Sequence, residues 1–422
     1  MEWLILLTMV GGFVFLVLVF RFPKGIALAI SSAAGALVAG NGLPIRHLVE
    51  GSFAYLDPIL IIATAMIFMK VIEGSGALGT LSRQIIEGFH GHPVLLLWMV
   101  TLFVMFPGMF TGLTTASVLT SGALIAPSLT HLGLPRDRAG ALIAMAAIYG
   151  MVAPPIDLPA MIICGGVDMP YIGFEVPLLF ATLPLAAVVP LWIAYRHLPK
   201  TDLDSIRPNL PESYWKRYGL LLYSPIIVVV VLMLGIRLLP AVFPNLRVPL
   251  IFMIGSLVGL FSGKRIPLRR TVLESIKDAL PVMGILVGIG MFIQIMTLTG
   301  VRGWLVVGTL QLPEVLTYLG IAVSVPVFGA VSAFGSASVL GVPFLLALLG
   351  HNEIMTASGL SLMASLGDLM PPVALAGFFA AQVVGEPNYF VVLRRCIVPA
   401  LLTVIWGIVL IAFANPIAKV IL

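Results

Sequence analysis

Charge is what this chain lacks most. Asp, Glu, Lys and Arg together make up 10% of its 422 residues, against about 25% in an ordinary soluble domain. No stretch is polar enough to fold as a soluble domain, and the longest polar run, residues 196–217, reads as a linker. Cysteine is nearly absent. The two present, Cys164 and Cys396, lie inside apolar runs, which excludes a disulfide framework and a cysteine metal cluster. The 6 histidines fall in loops or at the ends of apolar runs. Neither an HExxH segment nor a phosphate-cradling GxxxxGK[ST] loop occurs. Uphill work would therefore draw on an ion gradient rather than on ATP, and no cofactor is expected.

What the chain has instead is apolar length. Hydrophobic residues make up 60% of it, and the mean hydropathy of +1.13 cannot come from one anchor helix. The length allows about ten membrane spans of ~20 residues with their loops. The predicted spans of the first half are 2–20, 25–42, 55–73 and 172–195, with a hairpin at 93–130 and a broken span at 139–166. The second half repeats the order: 218–238, 248–262, 279–299 and 396–417, a hairpin at 315–350 and a broken span at 354–384. Hairpin arms of about 15 residues are short for full crossings, so each hairpin reads as re-entrant. The N-terminus reads as the first span, not as a cleavable signal, because Glu2 stands where a basic region would be.

The excess of basic residues, a net charge of +5, points to the membrane rather than to nucleic acid. With the N-terminus outside, the span order leaves Arg46, Arg237, Arg247, Arg302 and Lys419 outside. It puts the other 18 Lys and Arg, Lys24, Lys70, Lys200 and Lys277 among them, inside. That is a clear positive-inside bias. It implies a multi-pass membrane protein whose basic segments face the cytoplasm.

Two distant stretches repeat each other. Thr115-Ala-Ser-Val-Leu119 returns as Ser336-Ala-Ser-Val-Leu340, and Gly150-Met-Val-Ala-Pro-Pro155 as Gly367-Asp-Leu-Met-Pro-Pro372. Ahead of both, Ser75-Gly76-x-x-Gly79-x-Leu81 returns as Thr299-Gly300-x-x-Gly303-x-Leu305. The order is kept. The first half (1–195) starts outside and ends inside after five crossings, and the second (218–422) does the reverse. The expected fold is an all-α polytopic membrane protein with an inverted-topology repeat, the arrangement that secondary transporters use for alternating access.

The tips and breaks carry the chemistry. The first tip runs Thr111-Gly112-Leu113-Thr114-Thr115, the second Ser332-Ala-Phe-Gly335-Ser336-Ala-Ser338. Glycine lets the backbone turn and approach a ligand, and hydroxyls both donate and accept. Such tips suit a hard cation or a carboxylate, although small residues also serve close helix packing. The pairs Pro154-Pro155 and Pro371-Pro372 each interrupt a helix. A break exposes orphan carbonyls that attract cations and orphan amides that attract anions. Asp157 and Asp368 are the acids placed deep in the membrane. Asp157 follows its break and is placed to cap the second half-helix or to meet substrate. Asp368 precedes its break, near a helix C-terminus that disfavours a carboxylate, so a sodium ion, a proton or a basic partner must offset it. Lys70 reads as a partner of Glu73 one turn on and stays outside the core site.

On these segments the chain resembles the large membrane subunit of tripartite ATP-independent periplasmic (TRAP) transporters, within the wider ion transporter superfamily. Thr111-Gly112, Ala116-Ser117-Val118, Gly122, Pro127, Gly133 and the Pro-Pro pairs carry the resemblance, and Asp368-Leu-Met-Pro371-Pro372 is similar to the TAXI branch. The resemblance implies sodium-coupled uptake of a small organic anion such as a carboxylate. It implies one cation site at Thr111, Gly112, Thr114 and the carbonyls beside Pro154, and another at Ser332, Gly335, Ser336 and Asp368. Substrate would lie near Thr115, Ser338 and Asp157. Leu113 departs from the family's polar tip, and Asp157 stands where a hydroxyl is usual. The implied partners are a small four-helix membrane subunit and a periplasmic substrate-binding protein, neither fused here, with the outer spans forming the contact to that subunit or to a second copy in a homodimer. Proton coupling in a permease that works alone is the alternative. An enzyme or a channel are the readings of other classes. An enzyme needs convergent catalytic groups and a channel a continuous polar lining, whereas polar residues here cluster at two points.

Overall fold

The computed structural model describes residues 1–197, 207–239, 241–244 and 246–422; residues 198–206 of the expected linker, Lys200 among them, lie outside the described residues. Among the described residues all regular structure is helical. The first half consists of α1 (Glu2–Leu18), α2 (Lys24–Val38), α3 (Ile45–Ser52), α4 (Leu56–Ser75), α5 (Ala77–Phe89), α6 (Pro93–Thr111), α7 (Thr114–Ser117), α8 (Ala123–His131), α9 (Arg136–Val152), α10 (Leu158–Gly166) and α11 (Glu175–Ala194). After the linker come α12 (Ser224–Leu238), α13 (Val248–Gly259), α14 (Leu268–Leu298), α15 (Val301–Leu310), α16 (Glu314–Gly329), α17 (Ala333–Ser336), α18 (Val342–Ala347), α19 (Glu353–Ser365), α20 (Leu375–Val383), α21 (Tyr389–Ala412) and α22 (Ala414–Ile421).

Six helical stretches among the described residues are long and apolar enough to cross a membrane: Ile45–Ser75, Pro93–Thr111, Glu175–His197, Trp215–Leu238, Leu268–Leu298 and Tyr389–Ala412. The chain is a polytopic helical membrane protein. Three more expected spans fall on the shorter apolar helices α1, α2 and α13. Two expectations need correcting. The span predicted at 55–73 is α4, with a turn at 53–55 between it and α3, whereas the span predicted at 279–299 is the C-terminal part of the 31-residue helix α14. The first turns of α14 carry Arg269, Arg270 and Glu274, so hydropathy misses them although the helix continues. The first hairpin arm, α6, has 19 residues, longer than expected.

The elements sort into two groups by packing. α14 packs on α2, α3 and α4, and α4 on α13. Small residues let them approach closely: a Cβ on Gly25 would stand 2.1 Å from the Gly284 carbonyl oxygen, and one on Gly51 2.6 Å from that of Gly290. Close backbone approach of this kind is how helices associate where lipid removes the hydrophobic drive. The second group is built on α9, which packs on α6, α11, α20 and α21, while α19 packs on α10 and α21. It holds both hairpins and both breaks.

The repeated sequence anchors have structural counterparts. Gly76 and Gly300 lie in the left-handed region at φ +86 and +76 and start α5 and α15. A residue with a Cβ resists that conformation. α5 packs on both arms of the first hairpin, α6 and α8. In the second hairpin the two feet also meet: the His351 ring beyond α18 is 4.0 Å from Glu314 at the start of α16. Each hairpin therefore turns back on itself.

Candidate functional site

Both hairpins share one build. α6 ends at Thr111, whose hydroxyl donates to the Pro107 carbonyl at 2.7 Å. Gly112 follows in the left-handed region at φ +66. Leu113 is extended, and α7 leads into a five-residue π-turn, Val118–Gly122. In the second hairpin α17 leads into a matching π-turn, Ala337–Gly341. A hydroxyl ties each pair of arms: the Gly108 amide donates to Ser117 Oγ at 2.8 Å, and Ser336 Oγ donates to the Val325 carbonyl at 2.6 Å. Ser332 Oγ caps α17 by accepting from the Gly335 amide at 3.1 Å.

Each hairpin lies against the break of its own half. At Gly108 a Cβ would stand 2.8 Å from the Gly150 carbonyl carbon, and at Gly367 one would stand 2.3 Å from that of Gly329. Both Pro-Pro bonds, 154–155 and 371–372, are cis. The Ile156 amide, freed by the first break, donates to the Met109 carbonyl at 3.1 Å. Thr111, Gly112 and Pro154, joined by the resemblance, are thus in one neighbourhood.

Asp157 is the N-cap of α10 and is fully buried. Its Oδ1 accepts from the Ala160 amide at 3.1 Å, and its Oδ2 accepts from Ser361 Oγ at 2.5 Å. The capping role anticipated for it is its role here, with a bond to the other half of the chain added. Loss of a cap and of a buried hydrogen bond costs about 1–3 kcal/mol. Asp157→Ala should lower the melting temperature of the purified protein, and Asp157→Asn, which keeps an acceptor for Ala160, should lower it much less.

Asp368 lies in the last turn of the first half of its broken helix, Leu366–Leu369. Its Oδ2 accepts from Thr114 Oγ1 at 2.5 Å, across 254 residues of chain. The first hairpin tip is therefore bonded to the second break. This bond is on the wall of a cavity of about 630 Å³. Thr114, Thr115, Ser332 and Asp368 line it with Leu113. Ser338 and Asp157 do not reach it. Ser338 Oγ donates to the Gly335 carbonyl at 2.9 Å and is buried. Thr111, Gly112, Gly335, Ser336 and Pro154 are buried and do not line the cavity. Leu113, the departure from a polar tip, faces the cavity.

Several lining residues were not anticipated. Lys24, Lys70, Glu73, Lys277 and Asp278 form the charged part of the lining, and Met66, Met69, Phe334 and Phe379 part of its apolar area. Lys70 Nζ is 3.5 Å from Glu73, as expected, and also 3.5 Å from Asp278 on α14. An acid–base pair one turn apart inside an apolar run was the available signal. For Lys24 there was none, because sequence places it in a loop.

The sequence matches the tripartite ATP-independent periplasmic transporter family, DctM component, over residues 11–417. The chain belongs to that family. It is a secondary transporter component and not an enzyme, and a member of a tripartite system. No curated protein matches the DctM-family chain. Among solved structures it is similar to the YdaH transporter of Alcanivorax borkumensis, at TM-score 0.59 and 17% identity over 86% of each chain. It is also similar to MtrF of Neisseria gonorrhoeae, from a class of antimetabolite efflux pumps, at TM-score 0.65 and 16% identity, over 99% of this chain and 98% of MtrF. At such identities the likeness speaks for the fold alone.

Proposed function

We propose that this permease takes up a small organic anion, such as a carboxylate, by coupling it to sodium. The observation that carries this reading is the Thr114–Asp368 hydrogen bond on the cavity wall. It joins a hydroxyl-rich tip to a buried acid at a helix break, an all-oxygen donor set suited to a hard monovalent cation. Asp368, Thr114 and Ser332 with nearby carbonyls hold one sodium ion. Carbonyls at Thr111, Gly112 and the first break hold another. Substrate occupies the cavity beside Thr115.

The two halves form an inverted repeat of about ten spans plus two re-entrant hairpins, in the cytoplasmic membrane with the N-terminus outside. The matched hairpins, π-turns and glycine contacts support this pairing. Lys24, Lys70 and Lys277 belong to the inside set by the positive-inside rule, so the cavity opens to the cytoplasm. The group around α9 moves as an elevator against the group around α14. That second group, with the poorly buried α12, offers the surface for a small membrane subunit or a second copy. A periplasmic binding protein delivers the anion.

The test is the melting temperature of the purified chain in sodium against choline at equal ionic strength, from pH 5.5 to 8.5. A ligand that binds only the folded state stabilises it by mass action, about 2.7 kcal/mol at a hundred times its Kd. Sodium coupling predicts a sodium-specific rise. A flat response to sodium with a pH-dependent shift lost in Asp368→Asn would instead support proton coupling.

A further inference from the structure

One charge in the cavity is left without a role by that reading. Lys70 is balanced by two carboxylates, Glu73 and Asp278. Lys277 is exposed at the rim. Lys24, the first residue of α2, is half-buried, lines the same cavity as Asp368 and is within electrostatic reach of it. Among the described residues no carboxylate stands within ion-pair distance of Lys24. The Asp368 carboxylate already accepts from Thr114. Burying an ammonium group without a direct counter-ion is costly. A site that tolerates it gains when an anion arrives.

The geometry points to Lys24 as the device that makes cation binding at Asp368 conditional on an anionic substrate. The inference rests on the sodium reading above. A sodium ion beside Asp368 and the ammonium of Lys24 repel each other across the cavity. An empty cavity therefore holds sodium weakly. A substrate carboxylate that pairs with Lys24 cancels the repulsion, so anion and sodium strengthen each other's binding. Thermodynamic linkage makes that effect reciprocal. Ion and substrate are then loaded together without direct contact between them. The substrate class follows: an anion whose carboxylate pairs with Lys24, with an apolar remainder that meets Met66, Met69, Phe334 and Phe379.

The experiment needs no knowledge of the substrate. Sodium is titrated against the full-length purified chain at constant ionic strength with choline, and the midpoint of the rise in melting temperature is read. Lys24→Gln removes the repulsion and should lower the sodium midpoint by about ten-fold, within the usual range of site-to-site coupling. Lys24→Arg keeps the charge and should match the wild type, as should Lys216→Gln, a change at an exposed lysine outside the cavity. Lys24→Met keeps the apolar stem and serves in place of glutamine if Lys24→Gln melts abnormally low in choline. A midpoint in the neutral variants equal to that of the wild type overturns the inference while leaving sodium coupling intact. An equal drop in Lys216→Gln also overturns it, since the effect would then be a general surface potential. A wild type with no sodium response overturns the sodium reading itself, and this inference with it.

Discussion

Replacing Gly367 with alanine is expected to abolish transport and to strip the protein of most of its stability margin. A Cβ there would lie 2.3 Å from the carbonyl carbon and oxygen of Gly329. Both are backbone atoms, so no side chain can rotate away. Ordinary overpacking costs about 1–3 kcal/mol, and a clash that requires helices to separate exceeds that. The matched site behaves likewise: a Cβ on Gly150 would lie 2.5 Å from the Met105 carbonyl oxygen. Gly11→Ala is the control, because a Cβ there meets nothing within 4 Å. Melting temperature and yield of folded protein after detergent extraction check all three. Gly150→Ala and Gly367→Ala should both fall far below the control. A Gly367→Ala protein that melts with the wild type would show that the second hairpin and its break do not pack as described.

The second large effect is expected from Asp368→Asn. Asparagine keeps an oxygen that accepts from Thr114, so the tip-to-break bond survives and the charge alone is removed. The variant should fold, melt near the wild type in choline, and lose the sodium-specific rise. Gradient-driven uptake should fall at least a hundred-fold, because a coupling ion that is not bound cannot supply its gradient. Thr114→Val separates the two roles of the pair. It removes the hydroxyl but leaves the carboxylate, so sodium stabilisation should weaken without vanishing.

Much of this arrangement is legible in the sequence. The anchors at Ser75-Gly76 and Thr299-Gly300 mark matching positions in each half, and both glycines hold a left-handed turn. The Pro-Pro pairs mark the two breaks within a few residues. Asp157, just after a break, has the position of an N-cap and is one. These are local signals, written by conformational limits on glycine and proline and by the chemistry of a helix end. The π-turns at Val118–Gly122 and Ala337–Gly341 have no local signature, since their residues suit an α-helix equally well. The polar first turns of α14 are hidden from a hydropathy window. The bonds that build the site are the least legible: Thr114 to Asp368 and Ser361 to Asp157 join residues more than 200 positions apart. No periodicity within a segment encodes which tip meets which break. Lys24 shows the same limit, since its place in the cavity is set by α14 and the second break, not by its neighbours in sequence.

Whether the cavity between hairpin tip and break is an alternating-access site open to the cytoplasm can be read by one-sided labelling of Thr115→Cys with a membrane-impermeant maleimide. The two native cysteines are buried, so the background is low. Labelling should be rapid in inside-out vesicles without sodium and slight in right-side-out vesicles, with protection from the cytoplasmic side when sodium is added with substrate and binding protein. Equal labelling from both faces under one condition would describe a continuous pore and contradict the account.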